Sequence, residues 1–316
     1  MLVHKLDAQF PQPKALALDH AADIMAAIPS GRIVVIDGLA LGGMPQLIED
    51  HANRLLLVAL IHHPLALETG LTRSMARRLA TNESRALSVV DHIIVTSTTT
   101  ARALVDDGID QKRIGVVCPG TARRTSRAVG SANQVLTLLS VAAVIPRKGH
   151  LVLIEALSCV TDRLWCLKCV GSLERSPKTV SSVRAEIARR GMTDRVLLMG
   201  EVDEYGLHEL YLSSDVFALA SFWEGYGMAF SEALSYGLPI VATTAGAIPH
   251  TVGPGAGMLV APGDTGALCR ALTAVLDGSA LRKRMADAAW SMGNSLPTWR
   301  EASQLFSDEL FKVSRL

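Results

Sequence analysis

Phe222-Trp223-Glu224-Gly225-Tyr226-Gly227-Met228, with the run that follows to Gly237 and the segment Leu238-Pro239-Ile240-Val241-Ala242-Thr243, decides how this chain is read. Two glycines between Trp223 and Gly227 predict a tight loop, because glycine tolerates backbone conformations and close ligand approach that other residues resist. From Gly227 onward, Met228, Phe230, Ala233, Leu234 and Tyr236 carry an apolar helical pattern, which Gly237 and Pro239 end. A helix that starts at a glycine loop offers unpaired N–H groups and the positive end of its dipole, which suit a phosphate or a polar sugar.

Glu224 falls in the loop and Glu232 about two turns into the helix, roughly 12 Å apart at 1.5 Å per residue. That span fits the two ends of one elongated polar ligand, such as the sugar and the ribose of a nucleotide sugar. Two arbitrary glutamates would read as a solvated loop acid and a surface helix acid, but the flanks argue otherwise. Ser214-Asp215-Val216-Phe217-Ala218-Leu219-Ala220 reads as a buried strand entering the loop, and Leu238 to Thr243 as a strand leaving the helix. A strand–loop–helix–strand unit is where open α/β sheets bind ligands, at the carboxyl ends of the strands.

These residues resemble a known family. Glu224 to Met228, with Glu232-Ala233-Leu234 and then Gly237 to Thr243, resembles the donor-site signature of the family-four glycosyltransferases, retaining sugar transferases of the GT-B fold. A second block agrees: Leu138-Leu139-Ser140-Val141-Ala142-Ala143-Val144-Ile145-Pro146-Arg147-Lys148-Gly149-His150, then Ile154-Glu155-Ala156-Leu157. The resemblance runs from about residue 33 to 316 and is strongest from 135 to 265. It implies an α/β protein of two Rossmann-like domains facing a cleft, the N-terminal one short.

The resemblance also implies roles for residues. Arg147 and Lys148 would grip the donor diphosphate: a guanidinium forks onto phosphate oxygens, a lysine adds a point charge, and both stabilise the departing nucleoside diphosphate. Glu224, helped by the amides of Gly225, Tyr226, Gly227 and Met228, would hold hydroxyls of the transferred sugar. Glu232 would accept the two ribose hydroxyls. His62 and His63 follow the strand Leu57-Val58-Ala59-Leu60-Ile61. In the family a histidine at this strand end reaches over the cleft to the donor sugar, and His62 fits that position better than His63. Glu68 reads as a loop surface acid that could line the acceptor side.

The activity implied is a retaining, metal-independent transfer of a hexose from a nucleotide sugar of the UDP-glucose or GDP-mannose type to a glycan or lipid-linked acceptor, with the nucleotide sugar as co-substrate and no other cofactor. No two aspartates are separated by one residue, so the D-x-D metal site of the other large glycosyltransferase fold is absent. A nicotinamide dehydrogenase is excluded by the lack of a G-x-G-x-x-G loop followed by a ribose acid. Gly253, Gly255 and Gly257 enclose Pro254 and read as a turn. Where the family commonly has Gly-Gly-x-Pro-Glu, this chain has Gly246-Ala247-Ile248-Pro249-His250, which puts a donor contact from position 250 in doubt.

Alternating strands and helices predict parallel sheets throughout. Arg32 to Gly38, Leu55 to Ile61, His92 to Ser97 and Ile114 to Val117 are the strands of the first sheet. Val135 to Ser140, Leu164 to Val170, Arg195 to Met199, Val216 to Leu219 and Ile240 to Thr243 make the second. Thr121 to Gln134 is polar, basic and glycine-containing, a linker signature. The domain division is therefore 1–122, a linker at 123–134, a donor domain at 135–296, and a helix at 297–316 that in the family crosses back to the first domain.

Family members usually open with a strand, a glycine loop and a helix. Here Met1-Leu2-Val3-His4-Lys5-Leu6-Asp7 resembles the second strand of the family, and Gly42-Gly43 comes too late to be the loop. An unpaired edge next to Ile33 to Ile36 is the expected consequence, covered by a rearranged 1–27 segment, by self-association or by a partner. It also supports an alternative function: a non-catalytic or weakly active nucleotide-sugar-binding protein or partner subunit.

Composition bounds the rest. A chain of 316 residues, 49% hydrophobic and 19% charged, can bury the cores of two domains. Its net charge of +1 argues against a nucleic-acid binder, while local basic patches leave a peripheral membrane contact open. No apolar run approaches the roughly 18 residues of a membrane helix, and no signal-peptide pattern is present, which favours the cytoplasm. Cys166 and Cys169 form a C-x-x-C inside a strand, where an odd separation points the side chains to opposite faces; the five cysteines read as thiols.

Overall fold

The computed structural model describes residues 2–68, 70–130, 134–161 and 163–314. Residue 1 of the expected first domain, 131–133 of the expected linker and 315–316 of the expected C-terminal segment, together with 69 and 162, fall outside them. The chain divides into two compact units, Met1–Pro119 with Arg300–Leu316, and Gly120–Trp299.

In the first unit, α1 (Ala15–Ala27) precedes β1 (Ile33–Asp37), α2 (Gly38–Gly43), α3 (Pro45–His51), β2 (Leu56–Ile61), α4 (Arg73–Val89), β3 (His92–Val95), α5 (Thr98–Asp106) and β4 (Ile114–Val116). The strands pair in the order β1-β2-β3-β4, all parallel. Right-handed crossovers that always step the same way put their helices on one face. That face holds the larger core, with Leu57, Ala59, Ile61, Ile93 and Val95 packed under Leu41, Ile48 and Leu87.

In the second unit come β5 (Leu136–Val141), α6 (His150–Ser158), β6 (Trp165–Val170), α7 (Pro177–Arg189), β7 (Val196–Gly200), α8 (Glu204–Leu212), β8 (Val216–Leu219), α9 (Met228–Ser235), β9 (Ile240–Thr243), α10 (Ile248–Val252), β10 (Gly257–Val260), α11 (Thr265–Asp277) and α12 (Ser279–Ser295). Its sheet order is β10-β9-β8-β5-β6-β7. The chain leaves β5 in one direction through β6 and β7, then returns to the other side of β5 at β8. The gap between β5 and β8 is thus a topological switch point, where diverging connections open a crevice at the carboxyl ends of the strands. Helices cover both faces, and both cores are built from alternate residues of the same strands, Leu138 and Val216 on one side, Leu139 and Phe217 on the other.

The last helix, α13 (Trp299–Val313), supplies Phe306, Leu310 and Val313 to the second face of the first sheet, over Val58, Ile94 and Val117. Glu309 on this helix lies 2.8 Å from Nε2 of buried His92. At the edge strand β1 the same face is only partly covered, and Ile33 and Val35 stay 36% and 37% exposed.

Three sequence expectations are corrected. Residues 2–7 form no strand, and Leu2 and Val3 are 88% and 82% exposed: a short apolar run with no strand to pair with gains nothing by extending. Gly257 does not close a turn but begins β10, pairing in parallel with Ile240 of β9. The linker signature marks a segment that runs along the second unit: Ala128 N–H donates to Tyr236 O (2.8 Å) and Val129 N–H to Leu212 O (2.9 Å). The Arg124 and Arg127 guanidinium groups stack over the Tyr236 and Trp290 rings at 4.7 and 5.0 Å. Two basic residues of the segment read as a linker are here cation–π partners.

Glu83 on α4 is the buried acid of the first unit, and its carboxylate accepts the Leu65 N–H at 3.1 Å. Burial pushes its pKa up from 4.5 to about 7. The folded state therefore holds this proton more tightly than the unfolded chain. Stability falls as pH rises from about 4.5 to 7, and above that the ionised group costs about 3 kcal/mol. Glu83→Gln is expected to be more stable than the wild type at pH 8 and equal to it at pH 4.5, a divergence that urea melts at the two pH values would measure.

Candidate functional site

Two loops at the switch point build the site. The first follows β5: Pro146–Lys148 make one 3-10 turn, and Gly149 enters α6 at φ +65°. A Cβ at Gly149 would lie 1.9 Å from the Ala220 carbonyl oxygen, so only glycine lets this loop touch the end of β8. Phe222 N–H donates to Arg147 O at 2.8 Å and ties the two loops together. The second loop, 220–227, ends at Gly227 (φ +85°), from which α9 begins. Gly246 backs it: a Cβ there would sit 2.1 Å from Glu224 O, an oxygen that accepts the Ala247 N–H at 2.9 Å. The loop shape thus holds with Ala247 in place of the usual second glycine, and His250 stays exposed on α10.

Glu224 is at the centre of this arrangement and only 5% exposed. Lys148 Nζ donates to its Oε1 at 2.7 Å, Ser221 Oγ to the same oxygen at 2.6 Å, and Arg147 Nη1 stands 3.6 Å from Oε2 while donating to Trp223 O at 2.9 Å. The acid and the two bases read from sequence as separate ligand contacts form one ion-paired cluster, in which two positive charges face one carboxylate. Thr243 Oγ1 donates to Ser221 O at 2.6 Å, so the end of β9 fixes the serine that fixes the glutamate. His150, first residue of α6, is 2% exposed, and neither ring nitrogen has a hydrogen-bond partner among the described residues. Burial first, and the Lys148 charge second, push its pKa down to about 4, so it adds no charge to the cluster.

Glu232 lies on α9, half-buried, and accepts the Tyr211 hydroxyl at 3.0 Å. Its pKa is raised by burial, against the opposing effects of that hydrogen bond and of Arg124. Tyr211 stacks on Tyr236 at 4.8 Å, and Arg124 covers the other ring, so aromatic packing orients the hydroxyl that orients the acid.

His62 belongs to the first unit. Its Nε2 pairs with Asp37 Oδ2 at 2.9 Å, both side chains about half exposed. The other Asp37 oxygen accepts Leu39 N–H and caps α2. The His62 hydrogen bond is the largest of the effects that hold the Asp37 carboxyl below the usual range. His63 pairs instead with Glu68, Nε2 to Oε2 at 3.5 Å. His62→Ala is expected to lower turnover more than donor affinity, with His63→Ala nearly silent; steady-state kinetics of the two variants would reverse the assignment if the effects were exchanged.

Sequence reasoning missed Ser221, Thr243, Tyr211 and Asp37. Asp37 carried a usable signal, an acid at the carboxyl end of a strand just as His62 is. The others carried none, since a buried hydroxyl reads like any small strand-end residue until the fold places its partner.

The structure thus defines a class: a parallel α/β protein of two sheet-based units, with a charged site at the switch point of the second. The profile of the family described as glycosyl transferases group 1 matches residues 122–292, and the chain belongs to that family of enzymes. A relative, the MMP alpha-(1->4)-mannosyltransferase of Mycolicibacterium hassiacum, is 27% identical over 94% of this chain and 74% of its own length. The D-inositol 3-phosphate glycosyltransferase of Corynebacterium glutamicum is 28% identical over 63% of this chain and 51% of its own length. Among solved structures, sucrose-phosphate synthase from Thermosynechococcus elongatus gives a TM-score of 0.80 at 19% identity, over 94% of this chain and 78% of that one. Anabaena Alr3699/HepE in complex with UDP and glucose gives 0.78 at 20% identity, over 94% and 82%. The fold is that of the GT-B glycosyltransferases. No helix among the described residues is long and apolar enough to cross a membrane.

Proposed function

We propose that this chain is a retaining, metal-independent transferase that moves a hexose from a nucleoside diphosphate sugar, of the UDP-glucose or GDP-mannose type, to a glycan or lipid-linked acceptor. The observation that carries the reading is the Lys148–Glu224–Arg147 cluster at the switch point, with Glu232 on the helix that starts beside it. Two cations at the start of α6 are placed to stabilise the charge that develops on a departing diphosphate, in the role that a metal ion plays elsewhere. Glu224 accepts sugar hydroxyls and exchanges its bond to Lys148 for them as the lysine turns to phosphate. Glu232, held by Tyr211, accepts the ribose hydroxyls. The names of the relatives, a mannosyltransferase and an inositol phosphate glycosyltransferase, agree with a hexosyl donor and a hydroxyl acceptor.

Calorimetry tests the division of labour. Arg147→Ala should weaken nucleoside diphosphate binding by about 1.5–3 kcal/mol, the scale of a charge-assisted hydrogen bond. Glu232→Ala should weaken nucleosides and nucleotides alike, whereas Glu224→Ala should spare the free diphosphate and weaken only the sugar-bearing form. Wild-type binding of UDP and GDP by all these variants would remove the assignment.

A further inference from the structure

The carboxyl edge of the second sheet continues beyond the charged cluster. Past the loop of Lys148, the ends of β5, β6 and β7 line an open cavity of 370 Å³ whose lining includes Ala142, Gly171, Arg175, Glu201, Val202 and Leu207. Ligand pockets run from about 300 to 1,000 Å³, so this one takes a compact group. At its edge Gly171 has φ +138°, and a Cβ there would meet Ala142 O at 2.4 Å, so the ends of β5 and β6 approach each other through backbone alone. Ala142, Val202 and Leu207 give apolar walls for the faces of a flat ring. Arg175 and Glu201 bring opposite charges to the same cavity, yet neither side chain is hydrogen-bonded or ion-paired to any described residue. Leu207 lines the cavity from α8, and Tyr211, one turn further on the same helix face, donates to Glu232. The helix that lines the cavity therefore also carries the hydroxyl that holds the acid assigned to the ribose.

We propose that this cavity takes a guanine base, with Glu201 accepting from N1–H and the 2-amino group and the Arg175 guanidinium donating to O6 and N7, so that the donor is a guanosine diphosphate hexose. The inference rests on the donor-site reading above. A carboxylate takes two parallel N–H donors, and a guanidinium fork matches two neighbouring acceptors; guanine presents both pairs side by side. Uracil offers one N–H between two carbonyl oxygens, which a carboxylate repels. Adenine places an amino group where the fork needs an acceptor, and an acceptor where the carboxylate needs a donor.

Calorimetry on the full chain with GDP, UDP, ADP and inosine diphosphate tests this. GDP should bind at least about tenfold tighter than UDP or ADP, and inosine diphosphate, which lacks the 2-amino group, several-fold weaker than GDP. Glu201→Ala should lose about 5- to 100-fold for GDP and leave UDP within about twofold, and Arg175→Ala should shift GDP in the same direction. Both residues are exposed, so unchanged melting temperatures are expected to certify the fold. UDP binding as tightly as GDP, or a GDP preference that survives Glu201→Ala, overturns the base assignment and leaves the donor site standing. Failure of every nucleoside diphosphate to bind overturns both.

Discussion

Lys148→Ala is expected to slow transfer from the donor by about 100- to 1,000-fold, the usual cost of removing one preorganised group that faces charge developing in a transition state. The variant acts twice. On the proposed reading it removes one of the two cations that face the departing diphosphate, and it leaves Glu224 buried with only Ser221 at hydrogen-bond distance and Arg147 at 3.6 Å. Breaking a buried pair by deleting one partner costs about 3–5 kcal/mol, so a drop in melting temperature should accompany the loss of turnover. Lys148→Met/Glu224→Gln separates the two effects. Removing the ionised acid as well should restore the melting temperature and leave the turnover low. Rates that recover together with stability would mean that Lys148 is a structural partner of Glu224 and nothing more.

Gly149→Ala is expected to destabilise the second unit by about 3–5 kcal/mol, at the upper end for a single substitution. The strain of a left-handed residue accounts for about 1–2 kcal/mol of this. The rest comes from contact with backbone, because the new Cβ would fall 1.9 Å from Ala220 O and 2.7 Å from Ala220 C, and neither atom can rotate away. Gly191 is the control: it has φ +64° and nothing within 4 Å of a built Cβ, so Gly191→Ala should show the conformational strain alone. Urea melts of the two variants would measure the difference. Equal costs would show that the approach of the Lys148 loop to β8 is not tight in solution.

How much of this was legible in the sequence differs between levels. The strands Val216 to Leu219 and Ile240 to Thr243 match the observed β8 and β9, because short continuous apolar runs bounded by turn-forming residues, Ser213 to Asp215 before one and Gly237 and Pro239 before the other, have little else to become in a doubly wound protein. The first seven residues misled, since an apolar run predicts a strand only if a neighbour exists to complete its hydrogen bonds. The candidate site was legible as a set of charges, Arg147, Lys148, Glu224 and Glu232, through motif spacing. Their mutual pairing was not, because it depends on β5 and β8 being neighbours while the 74 residues 142–215 separate Val141 from Val216. The hydroxyls of Ser221, Thr243 and Tyr211 became visible only once burial forced each to find a partner. The linker misled in the opposite direction: arginines that look solvated in a polar stretch were bound by the flat faces of Tyr236 and Trp290.

On the proposed reading, the switch-point cluster of the second unit catalyses metal-independent transfer with retention. NMR of the sugar released or transferred from α-configured nucleoside diphosphate hexoses, in excess EDTA, tests it most directly. The wild type should turn over with an α-configured first product, and Lys148→Ala should be slower by about 100-fold or more. A β-configured first product, a loss of turnover in EDTA that divalent metal restores, or a Lys148→Ala rate equal to wild type would contradict it.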